Sequence, residues 1–330
     1  MSEIDRLGVI DSDSAELRHE YQAMHETVGF TFLDHDFVLV SGPDAREYLQ
    51  GQLSQDIAQL VPGSCCDSML LDPNGHVVAV LRVSAVVEPR VGYMVEVESG
   101  FGEAVLERLS RFKIRAALDL EALELQCVAF RGPNSRTVVD ELSTSGTVRA
   151  EVDWNGVGGV DLVSPSIEAD LDSLATRCSR YVFEMCRIES GVPAMGTETV
   201  PGVIPAETGL VEKTVDLKKG CFTGQELVAR MAARGNHAPR RLTGITWEKG
   251  DGLEPLDAKG ASILSGDSDK RVGEITSSTC SFGFGGPLGL AYLHRSASAD
   301  SELFVEPVGG FEGGRFRARL VQLPLGTISK

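Results

Sequence analysis

Positive charge is scarce in this 330-residue chain: 31 Lys and Arg stand against 48 Asp and Glu, a formal net charge of −17. An acidic surface repels nucleic acid and anionic membrane on average, so neither is an expected direct partner unless a local basic patch supplies the contact. No apolar run reaches the length of a transmembrane helix, about 20 residues. No CxxC, no HExxH and no histidine pair at metal-ligand spacing occurs, so the motifs predict no metal site. The seven cysteines (Cys65, Cys66, Cys127, Cys178, Cys186, Cys221 and Cys280) are odd in number and scattered. They do not form a disulfide framework and fit a reducing cytoplasm. The stretch from Met1 to Asp13 is acidic and polar, unlike a signal or transit peptide, which also points to the cytoplasm.

Hydrophobic residues make up 42% of the chain, enough for real cores, and the length allows one large unit or two to three domains. Residues 1–25 read as a mobile arm or a poorly anchored helix. Phe37–Val40 is an apolar strand, and Ser41-Gly42-Pro43-Asp44 opens a helix with Pro43 at its first position. Asp72-Pro73-Asn74-Gly75 has turn chemistry between two apolar runs, which makes a β-hairpin. A strand at Tyr93–Val97 and a helix from Gly102 to Phe112 complete an α+β round with an antiparallel sheet. A second round follows, with strands at Leu123–Phe130 and Val157–Val163 and a helix from Ile167 to Cys178 and beyond. Arg131-Gly132-Pro133-Asn134 repeats the earlier Gly-Pro-Asx opening, the sign of a weak internal repeat. Gly191–Leu217 is loop. From Arg240 short alternating strands suggest a small barrel or sandwich, and the glycine-rich Ser281–Gly286 reads as one of its loops.

The stretch with the most chemistry is Lys218-Lys219-Gly220-Cys221-Phe222-Thr223-Gly224-Gln225-Glu226. Thr223 and Glu226 have the spacing of a capping box, and Leu227–Arg234 is good helix material closed by Gly235. Cys221 would then precede the positive end of a helix dipole, beside two lysines, and such fields favour thiolate. Between Leu217 and Trp247 the ionised residues are Lys218, Lys219, Arg230, Arg234, Arg240 and Arg241 against Glu226 alone. This local reversal of charge predicts either a site for a small anion or a solvated helix face beside a basic loop. His237, next to this run, reads as an exposed loop histidine.

These residues resemble a known family. Lys219–Glu226 is similar to the signature of the YgfZ proteins, folate-binding relatives of the glycine-cleavage T-protein (aminomethyltransferase), with Phe222 where tyrosine is usual. Val40–Ala45 with Leu49–Asp56, Arg187–Pro193 with Ile204–Glu207, and Val272–Ser278 resemble further motifs of the same group. The resemblance implies an α+β fold of three subdomains in a ring: an arm over 1–25, two ferredoxin-like halves at about 26–120 and 121–238 forming a folate-binding unit, and a C-terminal β-barrel at 239–330. It implies tetrahydrofolate, or a one-carbon derivative, as ligand. The pterin would rest on Glu189 of the Arg-x-Glu-x-Gly motif, with Arg187, Lys219, Gly220, Gly224 and Gln225 around the site. Arg230 and Arg234 are candidates for the glutamyl carboxylates. Asp56 is either a folate contact or a simple turn or cap residue. The carboxylate that aminomethyl transfer uses corresponds to Ala79 and Val80, so that reaction is not expected. The resemblance instead implies assistance to the assembly or repair of iron–sulfur enzymes, including radical enzymes that modify tRNA. Their assembly factors would be partners and Cys221 the reactive group. A non-catalytic folate-sensing docking module and a one-carbon transferase acting on another acceptor remain the alternatives.

Overall fold

The computed structural model describes residues 14–154, 156–235, 238–250, 253–266, 269–297, 301–309 and 314–324. His237 lies outside them, as does most of the expected N-terminal arm. Helix α1 (Ala15–Glu26) leads into β1 (Gly29–Leu33), β2 (His35–Ser41), α2 (Ala45–Gln52), the hairpin β3 (Cys65–Leu71) and β4 (Val77–Val86), β5 (Gly92–Glu98), α3 (Gly102–Phe112) and β6 (Asp119–Leu123). The second round contains β7 (Gln126–Arg131), α4 (Ser135–Leu142), β8 (Val148–Asp153), β9 (Gly158–Ser164), the two-residue β10 (Thr176–Arg177) and α5 (Arg180–Glu189). The short α6 (Val211–Thr214) and α7 (Gln225–Ala232) precede the strands β11 (Arg240–Trp247), β12 (Ser262–Ser265), β13 (Arg271–Ser281), β14 (Gly286–His294), β15 (Leu303–Glu306) and β16 (Phe316–Val321).

Two five-stranded sheets, ordered β3-β4-β5-β2-β6 and β10-β1-β7-β9-β8, stand beside a closed six-stranded barrel, β11-β14-β13-β12-β15-β16. The repeat is real at the level of pairing. β2 and β7 are each followed by a Gly-Pro-Asx opening and a helix, and each is an interior strand of its sheet. The two rounds nevertheless trade a strand. β1 pairs with β7 of the second sheet, and β6, which leads into β7, pairs with β2 of the first. A division near residue 120 therefore cuts the chain but not the sheets. Their facing sides share one core, with Phe37, Leu39 and Met94 against Cys127, Ala129 and Val163.

Four sequence expectations differ from what is observed. Asp44, not Ser41 or Gly42, caps α2, so Pro43 sits before the helix instead of at its first position. The apolar stretch at 123–130 is two strands in different sheets, separated at Glu124-Leu125. The helix expected from Ile167 is mostly loop, because Thr176-Arg177 pairs with Gly29-Phe30 in the one parallel ladder described. The true helix starts later, with Ser179 as cap: its hydroxyl accepts from Val182 N–H at 3.4 Å. Finally, α1 is firmly anchored. Met24 is fully buried, and Glu20 Oε2 accepts from both the N–H (2.7 Å) and the hydroxyl (2.6 Å) of Ser179. Among the described residues no helix is long and apolar enough to cross a membrane.

Candidate functional site

The cysteine loop is built on the end of α2. The last carbonyls of a helix have no partner inside it and carry the negative end of its dipole. The Lys219 ammonium fills that role, donating to the carbonyls of Gln50 and Leu53. Burial pushes its pKa down to about 8, against the opposing pull of Asp56 and Asp216. Gln50 Nε2 joins the pieces, donating to Asp56 Oδ1 at 2.9 Å and to the Lys219 carbonyl at 3.3 Å. Asp56 in turn caps the turn Ile57–Gln59 through Ala58 N–H at 3.1 Å. Its carboxylate works as a cap, one of the two roles the sequence left open. Phe222 is buried among Met69, Leu71, Val77, Val203 and Val228, with the Lys219 Nζ 5.2 Å from its ring centre. Cys221, between these two anchors, is exposed. The loop thus presents one thiol outward while both neighbours hold the backbone down.

The capping box does not form. Thr223 N–H is taken by the Gly51 carbonyl at 3.1 Å. Gly224, at φ +80°, occupies the cap position of α7, with no side-chain cap. Gln225 is therefore the first residue of α7, and the Lys219 ammonium is turned toward the carbonyls that end α2. The basic run is likewise divided. Arg240 pairs with Glu207 at 3.0 Å and lies over the Tyr292 ring, and Arg241 donates to the Ala297 carbonyl. Arg230 and Arg234 stay exposed around α7, Arg230 at 3.8 Å from Glu226. Gly220, at φ +104°, has open space where a side chain would be.

Helix α5 carries the second set of residues. Arg187 is 5% exposed and its donors are used by the protein. Nε meets Glu184 at 2.8 Å, Nη1 the Val192 carbonyl at 2.5 Å and Glu198 at 3.2 Å, and Nη2 the Ser277 hydroxyl at 2.9 Å. Ser277 also donates to Glu198 at 2.6 Å. Arg187 is therefore the clamp between α5, the following loop and the barrel. The sequence expectation placed Arg187 at the ligand, and in the structure these four bonds tie it to protein groups. Glu189 is 5% exposed as well. Its Oε1 accepts from the Ser281 hydroxyl and from Gly283 N–H at 3.0 Å, and its Oε2 from the Tyr21 hydroxyl at 2.8 Å. It is not an open carboxylate. α1 and the barrel loop cover it, and one acceptor position on Oε2 remains.

Directly after Glu189, Ser190–Pro193 line a cavity of about 760 Å³. Asp153 of the second sheet, the Thr208–Leu210 and Glu212-Lys213 segments, and Leu242, Leu290 and Leu323 of the barrel close its other sides. Its size suits a small-molecule ligand, for which about 300–1,000 Å³ is usual. Lys213 supplies a cation there, held by Asp67 at 2.7 Å. Ala79 is fully buried in the first sheet's core, and Val80 N–H faces Met195 Sδ at 3.3 Å, so neither position offers a carboxylate. Sequence reading missed Tyr21 and Ser281, which occupy Glu189, and placed Gly196–Thr199 at the edge of the channel by family resemblance without seeing that Glu198 pairs with Arg187. Tyr21 and Ser281 come from α1 and a barrel strand that no motif spacing connects.

Residues 11–163 match the GCVT N-terminal domain, and residues 240–325 the glycine cleavage T-protein C-terminal barrel domain. The chain is similar to an aminomethyltransferase of Streptomyces coelicolor, 26% identical over 86% of this chain and 82% of that protein. It is equally similar to a mitochondrial iron–sulfur cluster assembly factor IBA57 homolog of Pyricularia oryzae, 26% identical over 87% and 77%. An uncharacterized protein of Haemophilus influenzae is 24% identical over 61% and 67%. Among solved structures, glycine cleavage system aminomethyltransferase T from Bartonella henselae superposes with a TM-score of 0.80, covering 94% of this chain and 89% of that one at 19% identity.

Proposed function

From the T-protein fold of this chain we infer a tetrahydrofolate-binding, YgfZ-like protein that supports the assembly or repair of iron–sulfur enzymes, tRNA-modifying radical enzymes among them, with Cys221 as its working group. The observation that carries this reading is the exposed thiol on a loop pinned at both sides, by Lys219 on α2 and by Phe222 in the core. A purely structural cysteine has no use for such a mount. The assembly-factor relative supports the same class of client, and the reduced state of all seven cysteines suits a cytoplasmic setting. Aminomethyl transfer is the weaker alternative, since Ala79 and Val80 stand where its carboxylate would be.

The residues fit a reduced folate in volume and in charge. The cavity behind Ser190–Pro193 has the room and is lined by Lys213, whose ammonium pairs with Asp67. Glu189, one residue before that lining, would offer its remaining Oε2 acceptor position to a pterin N–H from the side that Tyr21 covers. In this reading a pterin that takes both Oε2 positions displaces the Tyr21 hydroxyl, so α1 acts as a latch over the site. Bound folate would supply a one-carbon carrier. The chain's own part is to orient it and to present a nucleophile.

Calorimetric titration with tetrahydrofolate tests the site. Wild type should bind, Glu189→Ala should lose binding, and Tyr21→Phe should bind more tightly. Absence of binding by wild type removes the folate assignment. Cys221→Ala should bind normally yet fail to restore iron–sulfur enzyme activity in a strain lacking the protein. Full restoration would remove the thiol from the mechanism.

A further inference from the structure

The interface between the two sheets is not wholly apolar. β2 and β5 pair with His35 opposite Glu98 and Phe37 opposite Glu96. Side chains alternate along a strand, so His35, Phe37, Glu96 and Glu98 share a face. That face packs against Cys127 of β7. There His35 Nδ1 lies 2.7 Å from Glu96 Oε1, and Cys127 Sγ lies 3.8 Å from the same oxygen. The three donor atoms fall within 4.8 Å of one another. Glu96 and Cys127 are buried, 3% and 1% exposed, whereas His35 lines an open cavity of about 690 Å³ together with Phe37, Gly102 and Gln126.

We propose that His35, Glu96 and Cys127 form a binding site for a divalent transition metal of the zinc class. One imidazole nitrogen, one carboxylate oxygen and one sulfur make a donor set that suits zinc and its neighbours, whereas magnesium and calcium take oxygen ligands. Tetrahedral zinc bonds of about 2.0 Å to N and O and about 2.3 Å to S place ligand atoms about 3.3–3.6 Å apart. The observed 2.7 and 3.8 Å bracket that range, so small side-chain shifts close the site. Arg82 holds the other Glu96 oxygen at 3.4 Å, which aims Oε1 at His35 and Cys127. Its charge is also met by Asp161 at 2.9 Å and Asp67 at 3.5 Å, and Asp161 is shared with Arg131 at 2.7 Å. On binding, metal–nitrogen, metal–oxygen and metal–sulfur bonds form, and the Cys127 S–H bond breaks and its proton leaves to water. The His35 Nδ1–H that points at Glu96 gives up its proton to water while Nε2 carries the ring's one remaining proton. The fourth position is open to water from the cavity or to Glu98, the cross-strand partner of His35. The metal would join β2 and β5 of one sheet to β7 of the other. This site is independent of folate and of Cys221.

Titration of the full, metal-free chain with Co²⁺, followed by Zn²⁺, tests the proposal. One equivalent of Co²⁺ should bring up near-ultraviolet sulfur-to-metal absorption and visible bands of a four-coordinate ion, both erased by Zn²⁺. Cys127→Ala should abolish the near-ultraviolet band, and His35→Ala should weaken binding about tenfold or more. Cys221→Ser should change neither. The proposal is overturned by a wild type without a saturable band, or by a band that survives Cys127→Ala and vanishes in Cys221→Ser. Should Cys127→Ala fail to fold, His35→Ala and Glu96→Gln decide, and wild-type affinity in both overturns it.

Discussion

Gly75 and Gly224 meet backbone to backbone. A Cβ on Gly224 would lie 2.7 Å from the Asp72 carbonyl and 2.9 Å from Gly75 Cα, and one on Gly75 would lie 2.6 Å from Leu227 Cβ and 2.8 Å from the Gly224 carbonyl. Both have positive φ, +86° and +80°. The β3–β4 turn thus seats the start of α7 and fixes the far end of the cysteine loop. Gly75→Ala and Gly224→Ala should each cost about 1–3 kcal/mol through strain and crowding. Because both crowd the same contact, and the shift that admits the first Cβ makes room for the second, the double variant should cost less than the sum. Gly220→Ala keeps the strained φ but meets no atom, so it should cost less than either. Denaturant unfolding of the four variants measures this, and a Gly224→Ala protein as stable as wild type would contradict the packing.

Cys221 is the one exposed thiol of the seven. In the native protein a thiol-exchange reagent should show one fast equivalent, and Cys221→Ser should remove it. Cys127 and Cys186 are buried and their pKa is pushed well up by burial, so they should react only on unfolding. Mass spectrometry of the labelled peptide identifies the site. A fast phase that persists in Cys221→Ser would refute the assignment.

Acid sensitivity should centre on Asp161. Burial alone would raise its carboxyl, but the guanidiniums of Arg131 and Arg82 outweigh that and hold it at about 2, below the ordinary 3.8. A depressed carboxyl means that the unfolded chain binds the proton more readily. The stabilisation is therefore complete above about pH 4 and is lost as pH falls toward 2. Asp161→Asn leaves Arg131, 1% exposed, without its counter-charge and should cost about 3–5 kcal/mol. Its stability should also vary less between pH 4 and 2 than that of wild type, which unfolding at a series of pH values records.

Arg187→Leu should be among the most damaging single changes in α5. It strands Glu198, which is fully buried, and frees the Ser277 tie to the barrel. A loss of about 3–5 kcal/mol is expected. Arg187→Lys should rescue little, because an ammonium cannot reach Glu184, Glu198, Ser277 and the Val192 carbonyl together. Thermal unfolding followed by the fluorescence of Trp154 and Trp247 checks both.

Lys219 should titrate near pH 8, where burial has placed it. With the folded pKa below the ordinary 10.5, the unfolded chain holds the proton more strongly, so this group makes stability rise as pH goes from about 8 to 10.5. Reductive ¹³C-methylation and NMR would locate its titration. A resonance titrating above pH 10 would contradict the burial argument.

Much of the framework was legible because it rests on local chemistry. Asp72-Pro73-Asn74-Gly75 makes its turn wherever it sits, and the helix at Gly102–Phe112 is found where its apolar spacing puts it. The barrel follows from the alternation in strands such as Phe316–Val321. What was not legible depends on distant partners. Thr223 has a cap sequence, yet Gly51 takes its N–H and hands the role to Gly224. Glu189 reads as an open acid until Tyr21, 168 residues away, closes on it. Lys219 reads as a neighbour of the thiol, and only the end of α2 explains why it turns aside. His35, Glu96 and Cys127 come from three strands and leave no spacing to read.

The traded strands also govern the order in which the chain can be made. As synthesis proceeds, the first sheet is complete once β6 has emerged, but β1 must wait for β7. Until then Phe30 and Phe32 sit on a bare strand edge, and such an edge invites pairing with another nascent chain. Slow translation through residues 100–131 would lengthen that exposure, and a holdase acting on this interval would raise yield without touching the finished protein.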